Sequence, residues 1–202
     1  MQSNIPPKKI PLDYTIVFLV ICLAIISLVV IYSVSGQYAP GGDSLYYPKR
    51  QLLFYVVGFI AMAVIASLDF EILEKWTLPF YVFGMLLLLA VEFIGVEKLG
   101  AQRAISLKVI DIQPSEFMKF FLVLHISVLL ARLGKKRLNF RESIIITLKI
   151  LFYTALPLLL IYRQPDLGTL LMILFAVMML ILVSSISLKM SGLLISMGLT
   201  GL

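Results

Sequence analysis

"DIQPSEFMKFFLVLHISVLLAR", residues 111–132, passes from two carboxylates and a lysine into a long apolar run and leaves it at an arginine. An ionised group near hydrocarbon costs on the order of several kcal/mol unless it is paired or hydrated. Asp111, Glu116 and Lys119 therefore either mark a helix end or belong to a site. Pro114 suits the first helical position, where its missing N–H is not needed. Glu116 falls in the first turn, where a carboxylate complements the positive helix end. Lys119, three residues on, shares its face. Two readings stand: a capped helix start with an intrahelical ion pair, or an ion pair facing a water-filled cavity where Lys119 meets an anionic group.

The rest of the chain has the same character. Only 14% of its 202 residues are charged, against about 25% in a soluble domain. Its mean hydropathy is +1.05. Several runs approach the ~20 residues needed to cross a hydrocarbon core. The reading is an all-α fold, a polytopic transmembrane helix bundle forming a single domain over 1–202. Six spans are predicted, at about 14–34, 52–68, 77–96, 115–132, 144–162 and 168–186. A further apolar stretch, "MSGLLISMGLTGL" (190–202), would rise about 20 Å, too short to cross, and is read as a truncated seventh helix.

The cations lie mainly between spans, so the net charge of +6 is topogenic and no nucleic-acid partner is expected. Lys8, Lys9, Lys75, Arg132, Lys135, Lys136, Arg137, Arg141 and Lys189 fall on one side, nine against six on the other. The six are Lys49, Arg50, Lys98, Arg103, Lys108 and Arg163. The positive-inside rule then places the N-terminus in the cytoplasm. Segments 35–51, 97–114 and 163–168 face outward. "APGGDS" (39–44) reads as a turn, and "DFEILEKW" (69–76) as a solvated cytoplasmic turn. The lone cysteine, Cys22, excludes an intrachain disulfide.

"YRQPDLGTLLM" (162–172) repeats the grammar of the opening stretch: a proline and an acid begin a span, here with Arg163 just before the turn. Asp166 suits a helix cap, and Gly168 allows close helix approach. Capping does not account for Arg103, Glu116, Lys119, Arg163 and Asp166 all falling near one interface. His125 reads as a packing histidine and Glu92 as a helix carboxylate. No Cys/His cluster suggests zinc, no glycine loop a nucleotide, and no Ser/His/Asp set a hydrolase.

Three blocks carry a family resemblance. "YPKRQLLFYVVG" (47–58), "GAQRAISLKVIDIQPSEFMK" (100–119) and "RQPDLGT" (163–169) resemble, in order, segments of the SEDS family of RodA/FtsW/SpoVE-type peptidoglycan glycosyltransferases. "SLDFEILEKW" (67–76) leans toward its rod-shape branch. The resemblance implies a lipid II polymerase of the bacterial plasma membrane, acting in cell elongation or division with a class B penicillin-binding protein. In such an enzyme a sugar hydroxyl attacks C1 of the growing strand and undecaprenyl pyrophosphate leaves. Arg103, Lys119 and Arg163 would meet the pyrophosphate, and Glu116 and Asp166 would shape the cavity. No cofactor is required by the motifs, although a divalent cation is compatible with the chemistry. Ala104 stands where the family has tryptophan, and the family's catalytic aspartate is expected beyond residue 202, the chain covering roughly the N-terminal half. Two other functions remain open: a transporter or flippase for lipid-linked precursor, and a non-catalytic, partner-binding remnant.

Overall fold

A computed structural model describes residues 13–98, 101–106, 111–134 and 137–200. Lys8, Lys9, Lys108, Lys135 and Lys136 of the charge count lie outside the described residues. Among the described residues there are seven α-helices, α1 (Tyr14–Tyr38), α2 (Tyr46–Ser67), α3 (Phe70–Ile94), α4 (Pro114–Ala131), α5 (Phe140–Arg163), α6 (Leu167–Val183) and α7 (Leu188–Thr200). Among the described residues, α1 to α5 are long and apolar enough to cross a membrane. At 17 residues α6 stands at the lower limit of about 17 for a span. By contacts the chain divides into two units, Met1–Ile72 and Leu73–Leu202.

In the first unit α1 and α2 form a helical hairpin. Asp13 caps α1 by accepting a hydrogen bond from the Thr15 N–H at 2.9 Å. The turn after α1 carries Gly41 and Gly42 at φ of 70° and 73°, a conformation that L side chains rarely adopt. The Tyr47 hydroxyl donates to the Tyr38 carbonyl at 3.3 Å and ties the two helices across that turn.

The second unit is a bundle in which α4 packs on α5 and α6, and α7 on α5 and α6. Met118, Leu122 and Ile126 on α4 are fully buried, one turn apart. Thr169, Ile173, Val177 and Ile181 form the matching buried stripe on α6. A four-residue spacing keeps each stripe on one face. Gly84 lets α3 approach α4, because a Cβ there would stand 2.7 Å from the Met118 sulfur.

Pro157 interrupts α5. A proline lacks the N–H that would bond the carbonyl four residues back, here Tyr153. The Tyr81 hydroxyl donates to that carbonyl at 2.9 Å. A side chain from α3 thus repairs the break, as hydrocarbon requires.

Two sequence expectations need correction. Of residues 69–76, read as a solvated turn, 70–76 instead form the first two turns of α3, and Glu74 pairs with Arg132 at 3.2 Å. The helix continues past its apolar run into polar sequence, so loss of hydropathy does not end it; α1, α2 and α5 likewise exceed their apolar runs. The segment 97–114, read as an outward-facing loop, also contains regular structure, a three-stranded antiparallel sheet in the order β1 (Val96–Lys98), β2 (Ala101–Ser106), β3 (Asp111–Ile112). Val96 pairs with Ala104, and Ile105 with Ile112. The sheet leads directly into α4, and β2 packs against that helix.

Candidate functional site

The entry to α4 and the turn between α5 and α6 meet at the sheet end of the bundle. Gln113 is the N-cap residue of α4, held in extended backbone by the proline that follows. Asp166 is the N-cap of α6 and only 7% exposed. The Gln113 side-chain amide donates to Asp166 Oδ2 at 2.9 Å and to Ser115 Oγ at 3.2 Å. Ser115 donates to the same Oδ2 at 3.2 Å. Thr169 adds its hydroxyl at 2.8 Å and its N–H, to Oδ1, at 3.2 Å. A carboxylate only accepts, so the Gln113 amide nitrogen must face it. Burial alone would raise the Asp166 pKa. The hydrogen bonds from Thr169, Ser115 and Gln113 outweigh burial and hold it below its ordinary value.

One turn further into α4, Lys119 Nζ donates to Glu116 Oε1 at 2.8 Å. The lysine side chain is 18% exposed and the glutamate 50%, so the cation is the more desolvated partner. Nζ also stands 3.8 Å from the Met172 sulfur on α6. The pair predicted from the three-residue spacing is therefore present, with its ammonium against a second helix.

The other predicted residues stand apart. Arg163, at the end of α5, reaches Glu92 of α3 at 3.3 Å. Arg103 lies half-buried on β2, and no ion pair or hydrogen bond joins it to the cluster among the described residues. Ala104 is buried in the sheet opposite Val96. His125 is buried deep in the bundle, its Nδ1 3.4 Å from Thr77 Oγ1 and its ring against Tyr81 and Tyr153. That is the packing environment expected of it. A cleft of about 390 Å³ between α1 and α2 in the first unit shares no residue with the cluster.

Gln113, Ser115 and Thr169 escape a reading based on charge. So does Gln164, whose amide donates to the Leu88 carbonyl at 3.2 Å and whose side chain is buried. The available signal was the glutamine before each proline, Gln113–Pro114 and Gln164–Pro165. A long polar side chain at the mouth of an apolar helix has to find a partner. Among the described residues no three His, Cys, Asp or Glu side chains gather to hold a metal ion. Glu116 and Glu92 are each engaged by a cation, and Asp166 by neutral donors. These donors do not fit a divalent cation.

Comparison with known proteins identifies the family of the chain. Residues 14–202 match the FTSW_RODA_SPOVE family, described as cell cycle protein. Stage V sporulation protein E of Bacillus subtilis is 34% identical over 166 residues, covering 80% of this chain and 44% of that protein. Peptidoglycan glycosyltransferase MrdB of Helicobacter pylori is 36% identical over 127 residues, 62% of this chain and 33% of the relative. A chain from a peptidoglycan synthase complex that coordinates polymerization and crosslinking superposes with a TM-score of 0.75 at 25% identity, covering 94% of this chain and 52% of the other. The chain thus spans about half, or less, of the length of these proteins. It is a multi-pass membrane protein and belongs to the FtsW/RodA/SpoVE family.

Proposed function

We propose that this chain carries the lipid-pyrophosphate site of a peptidoglycan glycosyltransferase that polymerises lipid II on the outer face of the plasma membrane. The observation that carries the reading is the Lys119 ammonium, 18% exposed, at the mouth of α4 and against α6. In an inverting transfer the attacking sugar hydroxyl forms an O–C1 bond while the bond from C1 to the pyrophosphate oxygen breaks. Negative charge grows on the leaving pyrophosphate. The bound pyrophosphate diester is already anionic, so a partly desolvated, preorganised cation helps to hold it and stabilises the further charge that develops on the leaving oxygen. Glu116 holds the ammonium in place between turnovers. The hydroxyl proton goes to a base, which the family resemblance places beyond residue 202.

The basic 132–141 loop supports the orientation. Its described residues 132–134 and 137–141 lie at the end of α4 opposite to the sheet, and the 184–187 turn meets them there through the Leu138 N–H to Ser185 carbonyl bond of 2.9 Å. Lys and Arg gather on the cytoplasmic side of membrane proteins, which turns the sheet and the site outward and the N-terminus inward. The partner we assign is a class B penicillin-binding protein, in keeping with the synthase complex among the similar structures.

Binding and turnover are tested separately. The purified chain in nanodiscs, with photoreactive lipid II, is expected to be labelled, and excess undecaprenyl pyrophosphate to suppress the label. Labelling that undecaprenyl pyrophosphate leaves unchanged would overturn the pyrophosphate reading, and absence of labelling would overturn the substrate. Turnover is read as glycan strands on a gel, from the protein at the full length its gene encodes together with its penicillin-binding partner.

A further inference from the structure

We propose that Gln113 and Asp166 are positioning residues for Lys119. In this account the Gln113–Ser115–Asp166–Thr169 knot fixes the register of α4 on α6 and so sets where the ammonium stands. The inference rests on the reading of Lys119 given above and deepens it.

Three observations converge. Ser115 and Lys119 are four residues apart and share one face of α4. Ser115 is fully buried and donates to Asp166, where α6 begins. Lys119 reaches Met172, six residues along α6 from Asp166. The two helices are therefore in contact at two successive levels. The first level is a hydrogen-bonded pin and the second carries the charge. A slip of one residue at the pin would rotate Lys119 by about 100° and take it off α6.

The chemistry of the carboxylate gives the second argument. Asp166 Oδ2 accepts from Gln113, Ser115 and Thr169, and Oδ1 accepts from the Thr169 N–H. Asp166 accepts four hydrogen bonds, three of them at Oδ2, and is 7% exposed, so it is poorly placed to take a proton from substrate. Capping α6 needs only Thr169. The bonds from Gln113 and Ser115 cross 53 and 51 residues of sequence, and a local cap does not call for them. What they do is tie α4 to α6.

The test reads geometry without using lipid II. In a Cys22→Ser background, the pair Lys119→Cys and Met172→Cys is reacted in membranes with a short bis-methanethiosulfonate linker. With the knot intact the pair is expected to link readily. Gln113→Leu should lower the linking rate about tenfold, the counterpart of losing one charge-assisted hydrogen bond. Gln113→Glu alone, which sets carboxylate against carboxylate, should do the same. Gln113→Glu combined with Asp166→Asn restores a donor–acceptor pair of reversed polarity and should recover linking. Melting temperatures of all variants separate loss of register from loss of fold. A rate unaffected by Gln113→Leu, or a failure of the swap to recover linking in a folded protein, would overturn the proposal even if lipid II binds. Loss of lipid II binding would overturn the earlier reading and leave this result standing.

Discussion

Asp166 is a buried charge that stays charged because four donors converge on it. That has a consequence for stability. Its pKa in the folded state lies below the unfolded value. The stabilisation is therefore fully present above the unfolded pKa of about 4 and is lost as pH falls through the folded value. Asp166→Asn should lower the melting temperature at neutral pH, and the gap from wild type should begin to narrow near about pH 4 and close as the pH falls through the folded value. A gap that persists at lower pH would contradict the hydrogen-bond account. The Glu116–Lys119 pair was legible in the sequence because its partners are three residues apart on one helix. The partners of Asp166 were not. Ser115 and Gln113 lie more than fifty residues away, and nothing local in either segment marks the other.

At the scale of elements, the helices were legible wherever hydropathy alone decides, and their ends were not. Asn139 starts α5 with a capping box to Glu142, and Glu71 lies in the first turn of α3; both starts fall in charged sequence outside the apolar run. The sheet escaped because its strands are two to six residues long and too short for a periodic signal. Gln102, on β2, donates to the Val91 and Gly95 carbonyls at 3.2 and 2.9 Å and so closes the end of α3. The repair of α5 at Pro157 gives a sharper test. Tyr81→Phe leaves the Tyr153 carbonyl without its donor and should cost about 1–3 kcal/mol, read as a lower melting temperature. Pro157→Ala restores the backbone N–H, so the double variant should recover stability. A double variant as unstable as Tyr81→Phe alone would refute the repair.

At the scale of the molecule, the alternation of helices places the sheet and the 164–166 turn at one end of the second unit, and residues 132–134, 137–141 and 184–187 at the other. This follows from the sequence once the spans are counted, because each crossing reverses direction. Which end faces the cytoplasm rests on the lysines and arginines. Periplasmic reporters fused at Gly42 or Gln102 should be active and one fused at Arg137 inactive. The reverse pattern would place the site on the cytoplasmic side and remove it from the strand-forming face.

The central claim is that the Lys119 ammonium receives the pyrophosphate of a lipid-linked sugar. Its most direct test is the affinity of the purified chain in nanodiscs for lipid II, wild type against Lys119→Met. The account predicts binding weaker by at least about tenfold, equal to about 1.4 kcal/mol, with an unchanged melting temperature. Equal affinity in a correctly inserted protein would contradict it.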